Sequence, residues 1–331
     1  MAFVHLHVHS NYSLLNSTIV IGDLVNRVAA GGMTAVALTD TMNVFGSLEL
    51  SNKSKGKGIK AIYGAELLVD SGTGGPLFHL VVLCRNSDGW ANLRHILSES
   101  ALNSPRGDVH CTTFDIVREH ASGLIGLSGC LGGEVPQAVL RGGDPAQVAL
   151  RYREIFDEGC FYLELEANEL AEQDAVNRAL HALGARLGIP CVATNNVHYI
   201  DREDAGAHAV LVAIEKRRNL SIDALDQYPL DSFHFADEAY MRQFFSWCPE
   251  AVDNTVVIAD MVEPETVFRV KGTHYFPVYT PEDGSTTPDF LTALARKGLE
   301  NRLANSRKTG HEKPRQAYLE RLEHELEVII K

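Results

Sequence analysis

The opening residues Phe3-Val4-His5-Leu6-His7-Val8-His9-Ser10 alternate three imidazoles with three aliphatic side chains. In an extended strand this alternation puts His5, His7 and His9 on one face and Val4, Leu6 and Val8 on the other. Same-face neighbours lie roughly 6.6 Å apart at the backbone, so two of the imidazoles can lean onto one divalent ion such as zinc or manganese. A solvated histidine face on an edge strand is the alternative reading of this stretch taken alone. The six cysteines, Cys84, Cys111, Cys130, Cys160, Cys191 and Cys248, are scattered without a paired framework. They are expected to be buried thiols or a metal ligand rather than disulfides.

The elements that must position these residues follow a repeating pattern. Strand-like apolar runs over 3–8, 34–39, 60–69, 78–84, 123–128, 160–166 and 190–194 alternate with amphipathic segments near 21–32, 88–100, 113–120, 144–157, 169–187 and 202–216. Strand-then-helix order implies parallel strands with helical crossovers, and seven units over some two hundred residues fit a closed barrel. An open doubly wound sheet is the alternative, but no glycine-rich dinucleotide fingerprint follows the first strand. In such barrels chemistry gathers at the strand C-termini. His7 and His9 close the first strand, Asp40 and Thr41 the second, and Glu66 lies late in the third. Cys130 follows the fifth strand, and Asn196 and His198 follow the seventh. His79 opens the fourth strand and so falls at the wrong end of a parallel barrel. Asp40 is read as a turn cap, and His5 as a surface or supporting residue.

With 331 residues, 45% hydrophobic and 22% charged, the chain can bury one large core, or a core and a smaller unit. No apolar run reaches bilayer-spanning length and no signal-peptide zones open the chain, so a cytoplasmic location with no membrane partner is expected. The net charge of −13 repels a phosphate backbone, so the module is not expected to grip DNA unaided. Lys53, Lys55, Lys57 and Lys60 read as a solvated helix end.

Beyond about residue 220 the pattern turns irregular, with a helix opening at Pro249. Residues 271–288 hold Pro277, Pro281 and Pro288 and read as a linker. Two helices are expected after it, about 288–304 and 314–331. Leu319, Leu322, Leu326, Ile329 and Ile330 share a face of the second. That unpartnered face points to a fragment of a longer protein, with a dimerisation helix as the alternative.

His-Leu-His-Val-His-Ser-Asn-Tyr-Ser-Leu-Leu at 5–15, Leu-Thr-Asp at 38–40, Gly-Ala-Glu at 64–66, Ser-Gly-Cys-Leu-Gly-Gly-Glu-Val at 128–135 and Ala-Thr-Asn-Asn-Val-His-Tyr at 193–199 occur in this order. Together they resemble the polymerase and histidinol phosphatase (PHP) domain at the N-terminus of bacterial DNA polymerase III alpha subunits. The resemblance continues through Pro249–Thr255 and into Tyr318–Leu326, and so covers essentially the whole chain. It implies an α/β fold, a distorted seven-stranded (β/α)7 TIM-like barrel with a C-terminal helical extension. The domains it implies are the PHP domain at 1–270, the linker at 271–288 and the start of the polymerase thumb or palm at 289–331.

The resemblance also implies nine ligands in three overlapping sets around divalent metals, zinc or manganese. The first set corresponds to His7, His9, Glu66 and an aspartate replaced by Asn196. The second corresponds to Glu66, His79 and Cys130. The third corresponds to His198 with Asn16 in place of an aspartate and Thr41 in place of a histidine. A complete pattern carries four anionic ligands, whereas Glu66 and Cys130 are the two retained here. Neutral amides and hydroxyls bind transition ions poorly, so fewer than three ions are expected.

The function implied is that of an N-terminal module of the replicative polymerase alpha subunit with weak or no nuclease activity. Its expected partners are the rest of that subunit, DNA through the parent enzyme, and a proofreading exonuclease subunit. A working metal-dependent 3′–5′ exonuclease and a free-standing PHP phosphoesterase are the alternatives. Polymerisation by this chain alone is not expected, because in the family the nucleotide-binding carboxylates belong to the palm.

Overall fold

The computed structural model describes residues 3–72, 74–107, 109–217, 232–263, 277–306 and 314–331. They fall into two compact units, residues 1–269 and 270–331.

The first unit is built on a curled mixed sheet of seven strands. They are β1 (Ala35–Leu38), β2 (Lys60–Asp70), β3 (Leu77–Cys84), β4 (Thr112–Thr113), β5 (Leu124–Leu127), β6 (Phe161–Glu166) and β7 (Cys191–Thr194). The order is β1-β2-β3-β5-β6-β7, with β4 added beside β2. β1, β5, β6 and β7 are buried at every position, as expected of strands packed on both faces.

Helices cover the outer face: α1 (Ile21–Ala30), α2 (Ser47–Lys55), α3 (Ser87–Leu102), α4 (Phe114–Glu119), α5 (Glu134–Leu140), α6 (Pro145–Ile155), α7 (Gln173–Leu187), α8 (Ala205–Glu215), α9 (Glu238–Phe244) and α10 (Pro249–Met261). Local chemistry sets their ends. The side chains of Asn86, Thr113 and Asp144 accept backbone N–H bonds at the starts of α3, α4 and α6. Gly188 ends α7 in the left-handed conformation that lacks a Cβ penalty. Lys53 and Lys55 end α2, and Lys60 donates to the Ala259 carbonyl at 2.6 Å.

Two expectations are corrected. The strands are not all parallel: β3 runs antiparallel to both β2 and β5, because β2 and β3 are joined by a short turn with no crossover helix. That reversal accounts for His79. In an antiparallel strand the first residues, not the last, reach the end of the barrel where the other strands finish. Residues 3–8 also form an extended segment rather than a regular strand, with a single parallel bridge from Val8 to Val197. The segment still joins the two edges of the sheet. Ala37 and Thr39 donate to the His5 and Val8 carbonyls on one side, while His9 donates to Val197 and Val197 to His7 on the other. This closes the sheet into a distorted barrel.

The second unit contains α11 (Thr287–Ser306) and α12 (Arg315–Ile330). Arg296 grips Glu323 at 3.0 and 3.1 Å, and Leu326 is buried. Ile329 and Ile330 are exposed. The expected linker at 271–288 lies partly outside the described residues.

Candidate metal centre

His7 and His9 sit on the segment clamped between β1 and the residues after β7, with Val4, Leu6 and Val8 buried alongside. Both imidazoles are inaccessible to solvent. Hydrogen-bond partners fix their orientation. Ser13 gives its hydroxyl proton to Asp40 at 2.6 Å and Thr41 gives its own to Glu66 at 3.1 Å. Both oxygens, 3.1 and 3.4 Å from His9 Nδ1, are therefore acceptors there. His9 thus carries its proton on Nδ1, which leaves the Nε2 lone pair facing His7 Nε2 at 3.1 Å. Asp40, also bonded to Ser10 N–H at 2.7 Å and Ser10 Oγ at 2.8 Å, caps the 10–13 turn rather than its own.

Glu66 lies between two donor groups. Its oxygens are 3.6 Å from His7 Nε2, 3.9 Å from His9 Nε2 and 2.6 Å from His79 Nδ1. Cys130 Sγ lies 3.6 Å from His79 Nδ1 and accepts the Gly132 N–H at 3.3 Å. The loop 128–133 packs on the start of β3: His79 N–H donates to the Gly132 carbonyl at 3.1 Å. Gly129, at φ +80°, leaves no room for a Cβ, which would stand 2.4 Å from the His79 carbonyl.

Burial and charge act in opposition here. Burial pushes His9 down to about 3, so it is neutral. Burial also works against charge on His7, but the Glu164 and Glu66 carboxylates outweigh it and hold the imidazole well above its ordinary value. His79 is raised in the same way by Glu66 and Cys130. Burial would raise Glu66, yet His79 and His7 keep it well below the usual carboxylate range. Burial raises the Cys130 thiol. Protonated His7 and His79 thus lie against one carboxylate, so protons occupy the places where a dication would serve the same anions. His7, His9 and Glu66 form one set with ligand atoms all within 4.8 Å, and Glu66, His79 and Cys130 form another. Imidazole, carboxylate and thiol donors suit a divalent transition ion.

The remaining sequence candidates are placed less closely. His198 stacks on His9 with ring centroids 4.4 Å apart, and its Nδ1 donates to the Asn16 carbonyl at 2.7 Å. Burial and His9 keep it well below its ordinary value. It joins none of the ligand groupings found among the described residues. Thr41 occupies the space between Glu66 and His9. Asn196 is buried at φ +46° with an unpartnered Oδ1. His5 is not at the surface: it is buried between Phe3 and Phe235 and donates from Nε2 to the Ala236 carbonyl at 2.8 Å.

Sequence reasoning missed Glu164 and Glu166. Both are buried on β6, and Glu164 Oε1 accepts His7 Nδ1–H at 2.8 Å. The signal was available in Leu163-Glu164-Leu165-Glu166, where two carboxylates share one face of an otherwise apolar strand. A separate grouping of His181, Cys248 and Glu250 lies near the start of β7, where Asn254 donates to the Cys191 carbonyl.

The chain is similar to known proteins over most of its length. Residues 5–168 match the family model described as "PHP domain". The chain is 35% identical to "DNA polymerase III subunit alpha" of Treponema pallidum, over 92% of this chain and 27% of that protein. It is 34% identical to the protein of the same name from Pseudomonas fluorescens, over 99% of this chain and 28% of that protein. An "Error-prone DNA polymerase" of Symbiobacterium thermophilum is 33% identical over 100% of this chain and 30% of its own length. The chain therefore spans less than a third of each of these relatives. A solved putative metal-dependent phosphoesterase from Bifidobacterium adolescentis superposes with a TM-score of 0.44 and 12% identity, covering 74% of this chain and 96% of that one. A likeness that loose says nothing about the site.

Proposed function

This chain carries a PHP domain over residues 5–168, and from that premise we propose that it is the N-terminal module of a replicative polymerase alpha subunit. Its barrel mouth holds divalent metal at fewer positions than the full nine-ligand pattern. The observation that carries the reading is the convergence of His7, His9 and Glu66 beside Glu66, His79 and Cys130, with Asn196 in place of the first set's aspartate and Asn16 and Thr41 in place of two donors of the third. The similarity to DNA polymerase III alpha subunits supports the polymerase assignment. The partners proposed are the remainder of the alpha subunit, DNA through that parent enzyme, and a proofreading exonuclease subunit.

A bound metal would supply a hydroxide nucleophile and charge stabilisation at a phosphodiester. The chain's own residues prepare for it. Asp40 and Ser13 fix the His9 tautomer, Glu164 orients His7, and the Gly132 amide holds the Cys130 sulfur. Thr41 spends its hydroxyl on Glu66 and contributes no imidazole, so 3′-end hydrolysis is weak or absent. A working 3′–5′ exonuclease is the second reading, favoured by the two further carboxylates on β6.

The test is metal content after loading with zinc or manganese and dialysis, alongside 3′-end hydrolysis of single-stranded DNA. Bound metal that falls in Cys130→Ser, with little hydrolysis by the parent chain, is the expected result. Fast hydrolysis lost in His9→Gln would establish the exonuclease instead. Failure of the parent chain to retain any metal would overturn both readings.

A further inference from the structure

Beneath the His7–His9–Glu66 set, β6 presents two carboxylates that no metal set described above uses. Glu164 and Glu166 point to the same side of a strand buried along its whole length, and each is about 1% exposed. Among the described residues neither forms an ion pair with a lysine or arginine. Glu164 has the protonated His7 imidazole beside it, whereas Glu166, buried next to Glu164, has no cationic partner of its own among the described residues.

Each carboxylate has one oxygen anchored by the protein and one left over. Glu164 Oε1 accepts from Thr194 Oγ1 at 2.6 Å and from His7 Nδ1 at 2.8 Å. Glu166 Oε2 accepts from Asn168 Nδ2 at 2.9 Å. That amide is held in turn by Gln173, and Gln173 by Asn177, which also bonds the Glu166 backbone. The other oxygens, Glu164 Oε2 and Glu166 Oε1, are buried without a hydrogen-bond partner. Ligand atoms of Glu164, Glu166 and His7 all lie within 4.8 Å of one another. Transition-metal bonds to oxygen and nitrogen of about 2.0–2.2 Å need only a small contraction of this group.

We propose that Glu164, Glu166 and His7 Nδ1 form a divalent cation site beneath the barrel mouth, which supplies the two carboxylates that positions 16 and 196 lack. Two carboxylates and one imidazole favour a cation of the manganese or zinc type. A neutral imidazole has one lone pair, so His7 serves either this site through Nδ1 or the upper set through Nε2. The two positions therefore compete, and the mouth holds one ion around His7 and another around His79 and Cys130. The inference concerns residues outside the family pattern and does not need the polymerase assignment.

The experiment uses the whole chain and manganese alone, titrated by calorimetry and by electron paramagnetic resonance, with His9→Gln and Glu166→Gln beside the parent. Circular dichroism checks folding of the variants. Glu166→Gln should bind manganese at this site at least about tenfold more weakly, whereas His9→Gln, which breaks only the upper set, should retain it. Unchanged affinity and stoichiometry in Glu166→Gln would overturn the site. If His9→Gln removes the ion and Glu166→Gln does not, the upper set stands and this one falls. Should Glu166→Gln fail to fold, anomalous scattering from manganese-soaked crystals of the parent decides. A peak in bonding contact with Glu164 and Glu166 is expected, and peaks confined to His9, Glu66 or Cys130 would contradict it.

Discussion

At the scale of single residues, the site is decided by which positions carry charge or imidazole. Thr41 already touches both Glu66 and His9, so an imidazole there would face an existing carboxylate. Asn196 sits in the left-handed region that aspartate also tolerates, and its unpartnered Oδ1 marks a place where a carboxylate could bind an ion. The triple change Asn16→Asp, Thr41→His and Asn196→Asp should therefore raise bound metal. The same ion should then raise the thermal midpoint of the variant more than that of the parent chain. Equal metal content and equal protection in the two proteins would contradict this. His7, His9, Glu66 and Cys130 were legible because each lies in a short motif, whereas His79 entered only through the family resemblance. Glu164 and Glu166 were not singled out, since a charged residue on an apparent strand ordinarily reads as a solvated face. Only the three-dimensional closure shows that this face looks inward onto His7.

At the scale of elements, the β2–β3 hairpin and the loop 128–133 bring the second donor set together. The strand positions were legible from apolar runs bounded by turns. The reversal of β3 was not, because both faces of a central strand are apolar in either direction. The missing helix between residues 70 and 77 was the available cue. Gly129→Ala would force a Cβ against the His79 carbonyl and oppose φ +80°. It should cost at least about 1–3 kcal/mol of stability and weaken metal binding at Cys130, measured by chemical denaturation and metal titration. Normal stability would show that the loop can relax.

The outer end of the same hairpin is held by Arg106, which pairs with Asp70 at 2.5 and 2.9 Å and donates to the Gly75 carbonyl. The Arg106 hydrogen bonds keep Asp70 below its ordinary carboxylate range. A depressed carboxylate stabilises the fold above its unfolded value, and that contribution fades as pH falls through the folded value. Asp70→Asn should thus lose about 1.5 kcal/mol at neutral pH, with the difference from the parent closing only below the ordinary carboxylate range. A difference that is constant with pH would remove the ion pair from the explanation.

At the scale of the whole molecule, a net charge of −13 and a mouth lined by carboxylates give a domain that attracts cations and repels nucleic acid until metals offset the field. Among the described residues, no helix is long and apolar enough to cross a membrane. The chain divides into residues 1–269, which hold the barrel, and residues 270–331, which hold α11 and α12. The most direct measurement of the central claim is the number and position of divalent ions in crystals of the parent chain grown with zinc or manganese, read from anomalous scattering. The account predicts one or two ions at the mouth, in contact with His7 and with Glu66, His79 and Cys130. Three fully occupied ions, or none, would contradict it.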